Sequence, residues 1–138
     1  MPYRTQSAIA IYAKIQQVTG FEFDEIDETL ATLYVPSHQL IRVLTILFHN
    51  VELSYRRLVD IVVVDLLCGE KQLEINYIIM SGNYDLRLNV CIKVNEGAFV
   101  NSVESLYAGA HYRECKIAND FELSFNNGSG LRNIWETL

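Results

Sequence analysis

The residue types best suited to chemistry in this 138-residue chain lie four apart near its C-terminal end, at His111 and Cys115. On a helix that spacing puts an imidazole and a thiol on one face. A thiolate beside an imidazole is the pairing of a cysteine nucleophile. Such a nucleophile also needs a third group to orient the base and donors to hold an oxyanion. No such pattern adjoins the pair, so the expected state is a packed cysteine and an unrelated histidine. Asp60 and Asp65 could share acid–base work, but their odd spacing on an extended strand puts them on opposite faces. Five acids fall within Glu22 to Glu28. A hard-cation loop would need a glycine-assisted turn with oxygens at set spacing, and a solvated loop is expected instead. His38 and His49 fall at the two ends of one expected helix, too far apart to ligate one metal. Gly128-Ser129-Gly130 lacks the strand-before, helix-after context that cradles a phosphate.

Three cysteines, Cys68, Cys91 and Cys115, occur without any C-x-x-C spacing. Neither a disulfide framework nor a zinc site is expected, and a reduced compartment suits the count better. Catalytic, cofactor-binding and metal-binding residues are therefore all expected to be absent, which leaves interaction surface. Half of the residues are hydrophobic and 20% are charged, a globular balance for one domain. Apolar content this high in a small domain favours life in a complex. The net charge of −6 argues against a nucleic-acid binder. No apolar run approaches the ~20 residues of a membrane span.

The elements that must position these residues follow from periodicity. Residues 1–20 read as a helix with Ala8, Ile11, Ile15 and Val18 on one face, Tyr12 beside them and Gly20 at its end. A domain helix is favoured over a targeting peptide, although Arg4 and Lys14 precede the first acid. Thr29 to Val35 reads as a strand. Pro36-Ser37 opens a second helix, with Ser37 as cap and Leu40, Ile41, Leu44, Leu47 and Phe48 as its apolar stripe. Leu58 to Asp65 is β-branched and nearly continuous, which predicts a strand covered on both faces. Gln72 to Ser81 and Tyr84 to Val94 predict a hairpin turned at Ser81-Gly82-Asn83, with a positive φ at Gly82. Leu73, Ile75, Tyr77 and Ile79 face the core with Leu86, Leu88, Val90, Ile92 and Val94, while Asp85, Arg87, Asn89 and Lys93 face away. Val100 to Tyr107 predicts a short helix and about Gly109 to Asn119 a further one. The fold class is α+β: an N-terminal helix and a mixed, mainly antiparallel sheet of about four strands flanked by helices. Residues 1–125 form the expected domain and 126–138 a linker and docking tail around Leu131-Arg132-Asn133-Ile134-Trp135.

In that order, several segments match one family's wording. They are Leu33-Tyr34-Val35-Pro36-Ser37 with Leu40 to Leu47, then Tyr55-Arg56-Arg57-Leu58-Val59-Asp60-Ile61 with Val64-Asp65. Leu86-Arg87-Leu88 leading to Val94 follows, and then Val103 with Leu106-Tyr107-Ala108-Gly109-Ala110. Over about residues 22–138 the chain resembles the thirty-kilodalton subunit of respiratory complex I, which is the C-subunit of the bacterial NADH–quinone oxidoreductase. Glu114 matches the first glutamate of the family's Glu-Arg-Glu signature. Cys115 stands where arginine is expected, Lys116 replaces the second glutamate, Asn119 an aspartate and Glu122 a glycine. Tyr112, Phe121, Leu123 and Phe125 keep the aromatic and apolar frame, and Leu131-Arg132-Asn133-Ile134 resembles the family's Leu-Arg-Arg-Ile-Leu.

The resemblance implies a non-catalytic assembly subunit of the hydrophilic arm, without a redox centre or cofactor of its own. It would support NADH-to-quinone electron transfer coupled to proton pumping. Its partners would be other complex I subunits, chiefly the quinone-site subunit of the forty-nine-kilodalton type, with no nucleic acid and no membrane span. The implied contact or framework residues are Tyr112, Glu114, Phe121, Phe125, Leu131, Arg132 and Ile134. The implied location is the matrix side of the mitochondrial inner membrane, or the cytoplasmic face of a bacterial membrane. The equivalent subunit of a membrane-bound hydrogenase or plastid-type dehydrogenase, and a free-standing α+β interaction module, are the alternatives.

Overall fold

The computed structural model describes residues 2–23, 25–26, 30–66 and 71–126. The tail residues Leu131, Arg132 and Ile134, Cys68 and the expected linker after Asn126 lie outside them; Asn126 itself, expected to open the linker, instead ends a strand. Helix α1 (Pro2–Thr19) leads to β1 (Glu25–Ile26) and β2 (Leu30–Tyr34). A 3-10 turn (Ser37–Gln39) and α2 (Leu40–His49) follow, then strands β3 (Arg57–Asp65), β4 (Gln72–Met80) and β5 (Arg87–Asn95). The chain continues through β6 (Phe99–Asn101), α3 (Ala110–Phe121) and β7 (Ser124–Asn126). The α+β class holds, and two-residue β1 extends the expected four strands to a five-stranded sheet in the order β1-β2-β5-β4-β3. Only β2 and β5 run parallel within it. β6 and β7 form a separate parallel pair.

Alternation builds the core. Ile75, Tyr77 and Ile79 of β4 sit opposite Ile92, Val90 and Leu88 of β5, so the apolar sets share one face. Ala31 and Leu33 of β2 extend that face, because they pair with Leu88 and Val90. Ile11, Tyr12 and Ile15 of α1 join Leu40, Val43, Leu44 and Leu47 of α2 in the same buried cluster. Removing one such side chain, as in Leu44→Ala, would cost about 2–5 kcal/mol. Gly20 ends α1 at φ +83°, and its N–H donates to Gln16 O at 3.0 Å. Arg42 Nη2 then donates to Thr19 O at 2.8 Å, which fastens the end of α1 to α2.

Several expectations are corrected. Leu58 to Asp65 lies in a strand at the sheet edge, not one covered on both faces: only Ile61 is buried, and Val62 and Val64 are 40% and 43% exposed. Branching favours any pleated strand and does not report how many neighbours it has. Gly82 has no positive φ, because the β4–β5 connection runs from Ser81 to Leu86 and docks on the segment after α2. Gly82 N–H donates to Ser54 O at 2.9 Å, Ser81 Oγ bonds Leu53 O, and Asn83 Nδ2 donates to Val51 O at 2.8 Å. Ser37 makes no capping hydrogen bond, since the 3-10 turn starts ahead of α2 and Gln39 N–H closes it on Pro36 O. Val100 to Tyr107 is no helix: Val100 and Asn101 belong to β6, and turns over Glu104–Leu106 lead toward α3. Asn89 lies on the face away from Leu88 and Val90 as expected, but it is buried there rather than open to water, and its Nδ2 donates to Asn76 Oδ1 at 2.9 Å and to Thr32 Oγ1 at 3.3 Å.

Candidate interaction site

Helix α3 follows the rule of one apolar stripe: Ala110, Glu114 and Ile117 are buried at intervals of four and three. A glutamate in that stripe needs a hydrogen-bonded place, because burial strongly penalises an unpaired carboxylate. Glu114 is 3% exposed. Its Oε1 accepts from Ser102 Oγ at 2.5 Å and its Oε2 from Val103 N–H at 2.9 Å. Ser102 Oγ in turn accepts from Glu104 N–H at 3.1 Å. The carboxyl thus binds the turn between β6 and α3 to the helix itself. Burial pushes its pKa up to about 7, against the lowering effect of the Ser102 and Val103 bonds.

Two further contacts hold the approach to α3. Tyr107 Oη donates to Tyr55 O at 2.7 Å, from a buried ring that packs edge-on against Phe48 at 5.5 Å. Arg113 Nη1 lies 3.0 Å from Asp60 Oδ1, with both side chains almost half exposed. The β3 register shifts between Leu58 and Asp60, an irregularity of the kind that re-aims a side chain. Asp60 and Asp65 lie on opposite faces as expected: Asp60 pairs across from Ile78, Asp65 from Leu73. At that exposure the Arg113–Asp60 pair is worth about 1 kcal/mol or less. Sequence reasoning missed Ser102, Val103, Tyr107 and Asp60 as supports of α3. A buried-stripe glutamate was the available signal that a partner existed; its identity was not readable from spacing.

The expected site residues divide into two kinds. Glu114 and Phe125 are buried within this chain, and Phe121 is half-buried against the core. Tyr112 is 79% exposed, on the face that also carries Cys115, Lys116 and Asn119. An open cleft of about 270 Å³ runs along α3, lined by residues that include His111, Cys115, Asn119 and Phe125. His111 Nε2 lies 3.7 Å from Cys115 Sγ and Cys115 is exposed, which corrects the expected packed cysteine and unrelated histidine: one turn of α3 brings the two side chains together. Cys115 holds its proton more tightly than a free thiol, through desolvation first and then the charges of Glu114 and Glu104. That shift opposes the thiolate a nucleophile needs. Among the described residues no group of three or more His, Cys, Asp and Glu is placed to hold a metal. Cys91 is buried, and its thiol is pushed up to about 12 by desolvation and then Glu74.

Comparison with known proteins was consistent across sequence and fold. The family model described as respiratory-chain NADH dehydrogenase, 30 Kd subunit, matches residues 33–136. The C-subunit of the NADH-quinone oxidoreductase of Brucella abortus (strain 2308) is 31% identical over 103 residues, covering 75% of this chain and 51% of that protein. Its counterpart in Brucella suis biovar 1 (strain 1330) is similar to the same extent, 31% over 103 residues with the same coverage. The chain spans about half the length of the curated relatives it matches. A chain in the solved structure of the membrane-bound sulfane sulfur reductase, an archaeal respiratory membrane complex, superposes with a TM-score of 0.77 at 18% identity. That match covers 88% of this chain and 71% of the other. At such identity the likeness is one of fold.

Proposed function

Because the chain belongs to the respiratory-chain NADH dehydrogenase 30 Kd subunit family, we propose that it is a structural subunit of a quinone-reducing respiratory complex, with α3 as a docking helix. Its place is the hydrophilic arm, packed on the subunit that forms the quinone site, and it contributes no redox centre of its own. The observation that carries this reading is the use of Glu114. The one signature acid that the chain retains is buried between α3 and Ser102-Val103, where it fixes the helix and leaves Tyr112, Cys115, Lys116 and Asn119 outward. A carboxyl spent on two internal hydrogen bonds serves rigidity, and a rigid helix loses less entropy on docking. Among the described residues no helix is long and apolar enough to cross a membrane. Peripheral attachment through partner subunits suits that, on the matrix side of a mitochondrial inner membrane or the cytoplasmic face of a bacterial one.

Affinity capture of the tagged chain from its own membranes tests the proposal. The expected catch contains the quinone-site subunit and NADH-oxidising activity, and Tyr112→Asp lowers both together. Recovery of the chain alone from intact membranes would overturn it. The fold likeness to the archaeal sulfane sulfur reductase chain favours one second reading: the equivalent subunit of a related membrane-bound complex. In that case the captured complex contains the quinone-site homologue but does not oxidise NADH.

A further inference from the structure

Helices α1 and α2 pack on one face of the five-stranded sheet, and the opposite face carries a row of like charge at one end. Arg57 of β3 sits opposite Met80 of β4, and Met80 sits opposite Arg87 of β5. Residues paired in this way point to the same side of a sheet. Met80 follows core-facing Ile79, so the three side chains lie on the face turned away from the helices. Two strand spacings, about 10 Å, separate the arginines. We propose that the Arg57–Met80–Arg87 row is an interface for an acidic segment of a second protein, with a carboxylate on each guanidinium and an apolar group on Met80 between them.

The first support is the absence of internal partners. Both arginines are exposed, and neither guanidinium has an ion pair or hydrogen bond among the described residues. Other arginines of the fold are engaged: Arg42 donates to Gln39 Oε1 and Thr19 O, Arg56 to Phe48 O, and Arg113 to Asp60 Oδ1. Acids outnumber bases in the chain, whose net charge is −6, yet no described acid meets either guanidinium. Asp60, three residues along β3 from Arg57, is taken by Arg113 and by Ile61 N–H. A guanidinium receives a carboxylate through two parallel N–H bonds, which gives an acidic partner both strength and direction.

The second support is what surrounds the row. Val62, Asn76, Cys91 and Tyr34 face one another across four strands of the same face, and Val62 and Tyr34 are exposed. Exposed apolar side chains beside a charged margin have the anatomy of a protein interface, an apolar centre with a polar rim. At the far end of the face Glu74 sits opposite both Val64 and Lys93, so charge is balanced there. Only the arginine end is left positive, and it fixes which way an acidic partner lies. The row stands on the sheet and not on α3, so it calls for a contact other than the one α3 makes.

Zero-length carbodiimide cross-linking in freshly broken cells that carry the full chain tests the row. Arg57→Lys and Arg87→Lys each replace a guanidinium by an amine, which the reagent joins to a carboxylate in contact with it. The expected product links position 57 or 87 to an aspartate or glutamate of another protein, read by peptide mass. Amines at both positions that are freely acetylated without forming such a link would show an open face and overturn the proposal. Amines that neither link nor acetylate would be covered by something other than an acid, which overturns it equally. The double variant Arg57→Glu/Arg87→Glu loses no internal contact, so it should melt as the wild type does. The partner identified by the cross-link should co-purify with it at least about tenfold less. Undiminished co-purification would reject the row as the point of contact. Flotation of the wild-type chain with phosphatidylglycerol vesicles, abolished in the double variant, would assign the row to a lipid surface and overturn the acidic protein as its occupant.

Discussion

Glu114 is where burial and chemistry are most closely linked. Its carboxyl titrates near 7 in the folded chain, above the usual ~4.3 of an unfolded glutamate. The folded state therefore binds the proton more tightly than the unfolded state does. The stability that proton supplies is fully present below about pH 4 and is lost as pH rises through about 7. The folded chain should lose stability on the order of 3 kcal/mol between pH 5 and pH 8 from this group. Glu114→Gln mimics the protonated acid, so it should flatten that dependence and exceed the wild type at pH 8 in chemical denaturation. Glu114→Ala instead leaves buried Val103 N–H without its acceptor and costs about 1–3 kcal/mol at every pH. A wild-type stability that rises from pH 5 to pH 8 alongside a flat Glu114→Gln profile would reverse the assigned sign.

Phe125 and Tyr112 separate folding from docking. Phe125 is buried, so Phe125→Ala should lower stability by about 3–5 kcal/mol in the isolated chain. Tyr112 is exposed, so Tyr112→Ala should leave the melting temperature in place and weaken assembly by about 1–2 kcal/mol, roughly five- to thirty-fold. Pull-down titration against the quinone-site subunit, paired with thermal melts, reads both effects. Tyr112→Ala melting as low as Phe125→Ala would remove the distinction.

Among the elements, α3 ends in a strained conformation. Glu122 caps it at φ 55° and ψ 35°, the left-handed region that costs a side-chain-bearing residue roughly 1 kcal/mol. It is also the position where the family resemblance places glycine. Glu122→Gly should therefore stabilise the chain, or at worst leave it unchanged, by up to about 1 kcal/mol in denaturant melts; a loss of that size would show that the Glu122 side chain makes a contact that outweighs the strain. The helices and the central strands were legible in the sequence because α1, α2 and β4 carry the period of a half-buried element, and the apolar residues of β5 alternate too, although Asn89 and Cys91 between them are also buried. β3 was legible as a strand but not as an edge, since Leu58 to Asp65 carries the same branched residues in either place. Val100 to Tyr107 misled because Asn101 and Ser102 resemble a helix cap, whereas Ser102 spends its hydroxyl on Glu114 across 12 positions of chain. Residues that meet across such a separation leave no local pattern. That is also why Tyr112 and Glu114, two positions apart, could be singled out together but not sorted into surface and interior.

At the scale of the molecule, the core of α1, α2 and the sheet supports one edge on which α3 stands. α3 contacts β3 and β7, and its supports come from Ser102, Val103, Asp60 and, just before it, Tyr107 bonded to Tyr55. Tyr107→Phe keeps the packing and removes one buried hydrogen bond, so a stability loss of about 1 kcal/mol is expected with the fold intact. The most direct measurement for the docking role of α3 is the amount of assembled respiratory complex on a native gel when Tyr112→Asp replaces the wild-type chain. The Tyr112→Asp chain should melt as the wild type does, and complex abundance should fall at least about fivefold while the remaining complex keeps its quinone KM. Full complex abundance with a verified Tyr112→Asp chain in it would contradict the assignment of α3 as the docking helix.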